Sequence, residues 1–221
     1  MTIILALDTS TEACSAAVLH GEVIVERFET GSQHSRRILV LVNEVLAEAG
    51  VTLKQCDAIA FGRGPGSFTG LRIAAGVAQG LAFGAGRPVA PISTLAALAQ
   101  GANAARILAA LDARMQEIYF GAFEHGTDGL VVPARNEVVA VPGAVPLPEG
   151  SGWIGCGSGW DASDGALRAR LGACVTEVRA NVHPHARDIA RLATRLLDEN
   201  RLAAPEDALP SYLRDNVVHR G

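Results

Sequence analysis

Lysine is almost missing from this chain. Lys54 is the only one in 221 residues, and arginine supplies the rest of the positive charge. A phosphate-loop lysine, a Schiff-base lysine or a lysine general base therefore has no place except a polar turn. Arginine suits ion pairing and phosphate contact, but it does not hand over protons. Histidine offers little more. No His-x-x-x-His occurs, and the one close pair, His183-Pro184-His185, has a proline-broken i, i+2 spacing, where a helical metal site needs i, i+4. The four cysteines (Cys14, Cys56, Cys156 and Cys174) form no Cys-x-x-Cys, which reads as free thiols in a cytosolic protein. No apolar run approaches the roughly 18 residues of a membrane span. Met1 to Leu7 has neither the basic region nor the cleavage site of a signal peptide. The expectation is a cytoplasmic protein with no membrane partner. A net charge of −4 gives no global basic excess of the kind nucleic-acid binders show.

What is present begins with composition. A hydrophobic content of 49% describes a folded chain, and its length allows one large domain or two small ones. The densest local signal is Gly62-Arg63-Gly64-Pro65-Gly66-Ser67-Phe68-Thr69-Gly70-Leu71-Arg72, which runs into a helix of small residues. Glycines let a backbone approach another molecule closely, and Ser67 or Thr69 can cap the following helix. A helix N-terminus below such a loop favours anions, yet a phosphate loop places Lys before its Ser or Thr, and here Phe68 precedes Thr69.

Along the chain, Thr2 to Leu7 reads as a buried strand ending at Asp8-Thr9-Ser10-Thr11, with further strands at Cys14 to Leu19 and Val23 to Glu29. Ser35 to Ala49 has a helical apolar period closed by Gly50. A short strand, Ala58 to Gly62, feeds the glycine block. Helices follow over Leu71 to Phe83 and Thr94 to Asn103. The pattern then restarts: Ile107 to Asp112 repeats Ile3 to Asp8, and Ile118 to Phe123 supplies a second apolar run. Two copies of strand, Asp turn and strand suggest two related lobes across a cleft. Pro- and Gly-rich connections fill Pro133 to Gly159, and a last helix spans about Ala186 to Asn200. On the helix after the glycine block, Gly76, Gly80 and Gly84 recur every fourth residue and line one stripe. Each costs up to about 1 kcal/mol against alanine, so close packing must compensate, either on this chain's own sheet or on a partner.

These motifs together resemble the TsaB (YeaZ) family, a non-catalytic branch related to the transferase TsaD. The likeness rests on Leu7-Asp8-Thr9-Ser10, His34-Ser35-Arg36, Gly62 to Arg72, Gly76 to Gly84, Asp112-Ala113-Arg114, Gly155-Cys156-Gly157-Ser158-Gly159 and Pro210-Ser211-Tyr212-Leu213-Arg214. The resemblance implies the actin-like ATPase (ribonuclease H-like) α/β fold, with two lobes of duplicated mixed sheet and helices. The first lobe would cover 1–104 and carry the partner-binding helices. The second would cover 105–221, its last helix packing back on the first lobe. The resemblance also implies a required subunit of the machinery that makes threonylcarbamoyladenosine in tRNA, without catalysis of its own. TsaD would be its partner and the ATPase TsaE a third component. tRNA would be reached through the complex, and the isolated chain would form a homodimer. Arg36, Leu39, Leu46, Leu71, Arg72, Gly76, Gly80 and Gly84 would form the partner surface.

The residues speak against the catalytic alternatives. Where the catalytic paralogue holds a metal through His-x-x-x-His, the position four after His34 is Ile38. Asp8, Thr9 and Ser10 stand where actin-like ATPases bind phosphate, so they form a vestigial phosphate turn or a simple capped turn. Gly155 to Gly159 could pass an adenosine closely or be an ordinary loop. ATP or ADP is then a matter for the interface of the complex, and no metal or catalytic residue is assigned to this chain. A free-standing ATP-dependent phosphotransferase is the competing class. A glycoprotease-type peptidase is weaker, because Ser67 directly follows Gly66 and no histidine is marked as its base.

Overall fold

A computed structural model describes residues 1–31 and 33–214. In chain order the first half builds β1 (Ile3–Asp8), β2 (Ala13–His20), β3 (Val23–Thr30), α1 (His34–Glu48), β4 (Ala58–Gly64), α2 (Phe68–Ala85), β5 (Val89–Ser93) and α3 (Thr94–Gly101). The second half builds β6 (Arg106–Asp112), β7 (Ile118–His125), β8 (Val131–Pro133), β9 (Val138–Ala140), β10 (Trp153–Cys156), α4 (Gly159–Ala162), α5 (Ala166–Leu171), β11 (Val175–Arg179) and α6 (Ala186–Asp198).

The repeat read in the sequence is a repeat of topology. The first sheet runs β3-β2-β1-β4-β5 and the second β11-β10-β6-β7-β8, with β9 also on β7. In each, the strand that ends in Leu-Asp pairs antiparallel with the next strand and parallel with a later one: β1 with β2 and β4, β6 with β7 and β10. This is the two-lobe, actin-like arrangement.

Strand alternation sends the two faces of the first sheet into different cores. Leu5, Leu7, Ala16, Val18, Ile59 and Phe61 meet α1 and α2. Ile4, Ala6, Ala17, Ala60, Ala90 and Ile92 meet α3 and α6 on the other side, together with Ile107, Ala109 and Leu111 of the second sheet. That second cluster is common to both lobes, and α6 closes it by lying on β1, β2, β4 and β5 although it comes from the end of the chain. Behind the second sheet, Trp153 and Trp160 fill a third cluster with Leu108, Phe120 and Leu167.

Two expectations need correcting. The stretch from Pro133 to Gly159 is more than connection: it carries β9 and β10, and Trp153 is almost completely buried. The glycine block is mostly regular structure. Gly62 and Gly64 belong to β4, and α2 begins at Phe68, three residues ahead of Leu71. The early start follows from Ser67, whose hydroxyl accepts the Gly70 N–H at 3.4 Å, and the helix stops at Gly86, left-handed at φ 64°.

Candidate functional site

β1 delivers Asp8, Thr9 and Ser10 to the end of the first sheet, and all three are fully buried. What buries them is the glycine block. The Ser67 N–H donates to the Ser10 carbonyl at 2.7 Å, and the Thr9 hydroxyl donates to the Gly70 carbonyl at 2.7 Å. A Cβ on Gly70 would lie 1.9 Å from the Thr9 carbonyl oxygen, and one on Gly66 would lie 2.4 Å from that of Ser10. On the strand side, a Cβ on Gly62 would sit 1.9 Å from Asp8 Oδ1. These glycines therefore admit a close neighbour, but the neighbour is this chain's own Asp8 turn. Two backbone groups of the block, the Ser67 N–H and the Gly70 carbonyl, are spent on the Asp8 turn itself. The loop at Gly155–Gly159 is filled in the same way. A Cβ on Gly155 would strike the Trp160 ring at 2.4 Å, and one on Gly157 would meet the Ala110 carbonyl oxygen at 2.3 Å.

Asp8 is the chemically unusual member of the turn. Its Oδ2 accepts the Ser10 N–H at 3.2 Å and the Ser10 hydroxyl at 2.8 Å, while Oδ1 has no hydrogen-bond partner among the described residues. Burial pushes its carboxyl up to about 7, and the Ser10 hydrogen bonds and the His185 charge offset only part of that. A group whose folded pKa lies above its unfolded one binds more protons in the native state between the two values. Stability held at low pH is therefore lost as pH climbs from about 4 to about 7. Asp8→Asn is expected to flatten that slope by up to about 4 kcal/mol relative to the parent chain. Urea unfolding of both proteins from pH 4 to 8 measures it, and parallel curves would show that Asp8 stays charged when buried.

The other chemistry-bearing residues are occupied structurally. His34 Nε2 lies 2.8 Å from the Thr11 carbonyl oxygen, and Ile38 is completely buried in the first core. The His185 ring stacks on Phe28 at 4.3 Å, with Nδ1 3.1 Å from Glu26 Oε2. Among the described residues, no three His, Cys, Asp or Glu side chains stand close enough to hold a metal ion.

The outer face of α2 is different. Leu71, Ala74, Ala78 and Ala82 point into the core, while Arg72, Gly76, Gly80 and Gly84 face outwards. Among the described residues, a Cβ on any of those three glycines would meet nothing within 4 Å. Packing against the chain's own sheet, one of the two explanations for the stripe, is thereby excluded. Alongside on α1, Arg36 and Leu39 are exposed and Leu46 is half-buried against the core. Leu71 leaves the expected surface altogether: it is 1% exposed and packs towards Gly64. Residues that sequence reasoning missed complete the face, namely Phe68 at 53% exposure and Phe83 at 72%. The Arg72 guanidinium lies 3.7 Å over the Phe68 ring. No periodicity marks a phenylalanine as outward, so only the glycines gave a signal.

Comparison with known proteins agrees with this architecture. The model of the TsaD family, described as tRNA N6-adenosine threonylcarbamoyltransferase, matches residues 27–221. The tRNA threonylcarbamoyladenosine biosynthesis protein TsaB of Escherichia coli is 40% identical over 97% of this chain and 96% of its own length. TsaB of Haemophilus influenzae is 57% identical over 53% of this chain and 52% of its own length. Among solved structures, YeaZ from Pseudomonas aeruginosa is 44% identical and superposes with a TM-score of 0.89, covering 96% of this chain and all of the other. With a near full-length relative, a matching solved structure and the duplicated fold in agreement, the chain belongs to the TsaB (YeaZ) family, within the wider family named for TsaD.

Proposed function

We propose that this protein is a non-catalytic subunit in the synthesis of threonylcarbamoyladenosine in tRNA, and that it docks on TsaD and activates it through the outer face of α1 and α2. The observation that carries the reading is the glycine stripe. Three glycines in one helix, two of them in its interior, cost up to about 1 kcal/mol each against alanine, and nothing among the described residues occupies the space they leave. A close-packed helix from another subunit would use it. Exposed Leu39, Phe68 and Phe83 add apolar area around the stripe, as docking surfaces do. The Asp8 turn, sealed by its own glycines, supports the non-catalytic half of the reading. Nucleotide then belongs to the complex, TsaE supplies the ATPase, and tRNA is met through TsaD. Without TsaD, the same face would pair two copies of this chain.

Reconstitution tests this directly. TsaD and TsaE with activated threonylcarbamoyl donor and tRNA are expected to modify adenine at a background rate until this chain is added. Equal modification with and without it would overturn the proposal. The competing phosphotransferase reading predicts instead that the isolated chain turns over ATP and that Asp8→Ala stops it.

A further inference from the structure

After the last helix the chain returns across the molecule as Pro210, Ser211, Tyr212, Leu213 and Arg214, and it bonds to both lobes on the way. On the first lobe, the Ser211 N–H donates to the Arg63 carbonyl at 2.7 Å. The Ser211 carbonyl lies so close to Gly64 that a Cβ there would be 2.6 Å away. Tyr212 comes to rest on the outer face of α2: Arg72 Nε donates to its hydroxyl at 3.3 Å, and its ring centroid is 5.8 Å from that of Phe68. Two residues later the chain has reached the second lobe. The Arg214 guanidinium donates to the Ala113 carbonyl at 3.2 Å and pairs with the Glu117 carboxylate.

The hairpin it grips, between β6 and β7, needs holding. Arg114, Met115 and Gln116 are all left-handed, with φ of 62°, 55° and 62°, a conformation that residues with a Cβ disfavour. Within the hairpin, the Ala113 N–H donates to the Glu117 carbonyl and the Glu117 N–H to that of Arg114, both at 3.0 Å. Met115 is 81% exposed, so no core contact anchors the tip.

We propose that Pro210–Arg214 is an inter-lobe clasp, which couples the outer face of α2 to the strained β6–β7 hairpin so that a disturbance at Phe68, Arg72 or Tyr212 is felt at Ala113–Glu117. The clasp stands on contacts within one chain and does not depend on the docking reading. If docking also holds, it hands partner binding a route to the second lobe, because anything covering Arg72 and Phe68 must also meet Tyr212.

Amide hydrogen exchange on the full chain, alone in solution, tests it. Arg214→Ala should speed exchange at Ala113 and Glu117 because it removes their neighbour. The discriminating variant is Tyr212→Ala, whose lost partners all lie on the first lobe. It should speed the same two amides by about tenfold or more, while the Ile59 amide in β4 is unaffected. Tyr212→Phe, which loses only the hydroxyl bond to Arg72, should give a smaller effect in the same direction. If Tyr212→Ala leaves Ala113 and Glu117 at their parent rates, Arg214–Glu117 is a local ion pair and the clasp is wrong. The same holds if Ile59 speeds up equally, since the change would then be global.

Discussion

Gly80→Leu is expected to abolish the complex with TsaD while leaving the melting temperature of the isolated chain unchanged or raised by about 2–4 °C. The two outcomes follow from one position. Gly80 is exposed, and a Cβ there meets no described residue within 4 Å, so the leucine side chain extends away from the helix's own packing face. Replacing glycine in a helix interior also recovers up to about 1 kcal/mol of backbone conformational entropy. In a close-packed helix pair the same leucine adds four carbons where two backbones must meet. The helices are forced apart and the contacts around Phe83 and Leu39 are lost with them. Overpacking of this kind costs about 1–3 kcal/mol even in adaptable cores, and an interface that depends on backbone approach has less room to adjust. Co-elution with TsaD and a thermal scan of each protein alone are the two measurements. A full-affinity complex with Gly80→Leu would place the docking surface elsewhere, whatever the scan shows.

Gly70→Ala, ten residues earlier on the same helix, should do the reverse and unfold the protein. Here a Cβ would lie 1.9 Å from the Thr9 carbonyl oxygen, and the obstacle is backbone rather than a side chain that can rotate away. Relief requires α2 to lift from the Asp8 turn. That breaks the buried Thr9 hydroxyl bond to the Gly70 carbonyl, and with it the Ser67 N–H bond to the carbonyl of the buried Ser10. Each buried polar group left without a partner costs about 1–3 kcal/mol. The total reaches several kcal/mol, a large part of the 5–15 kcal/mol that holds a typical domain. The measured result should be insoluble protein, or a urea midpoint far below that of the parent chain. A Gly70→Ala protein of parental stability would mean that the turn and the helix are not in contact. Two glycines on one helix thus differ in their surroundings: Gly70 makes room for the chain's own Asp8 turn, whereas Gly80 faces open space.

That difference marks the limit of what the sequence discloses. The β1–β2–β3 strands, α1, the β6–β7 pair and α6 were legible because each is long enough to show its period. The restart at Ile107 told of two similar sheets because Leu7-Asp8 and Leu111-Asp112 end equivalent strands. β9, β10 and β11 were not legible. They run three to five residues, too short to show alternation, and Trp153 and Trp160 hold their surroundings by bulk. The Asp8 turn was located by its residues, but its closure was invisible. Thr9 and Gly70 are 61 positions apart, and no local pattern reports that their backbones touch. The same holds for the outer face, where Phe68 and Phe83 read like core until the helix is oriented on its sheet.

The position of α6 has a consequence for how this protein is made. The face of the first sheet bearing Ile4, Ala6, Ala17, Ala60 and Ile92 is finished only by a helix that begins at Ala186. β5, the last strand of that sheet, ends at Ser93, so a ribosome completes the sheet long before it delivers the cover. At roughly 5–20 residues per second, the half-built lobe waits several seconds or more with the α6 part of that apolar face uncovered. A stop codon before α6 would leave that part of the face open for good, and exposed apolar surface of this kind is prone to aggregate.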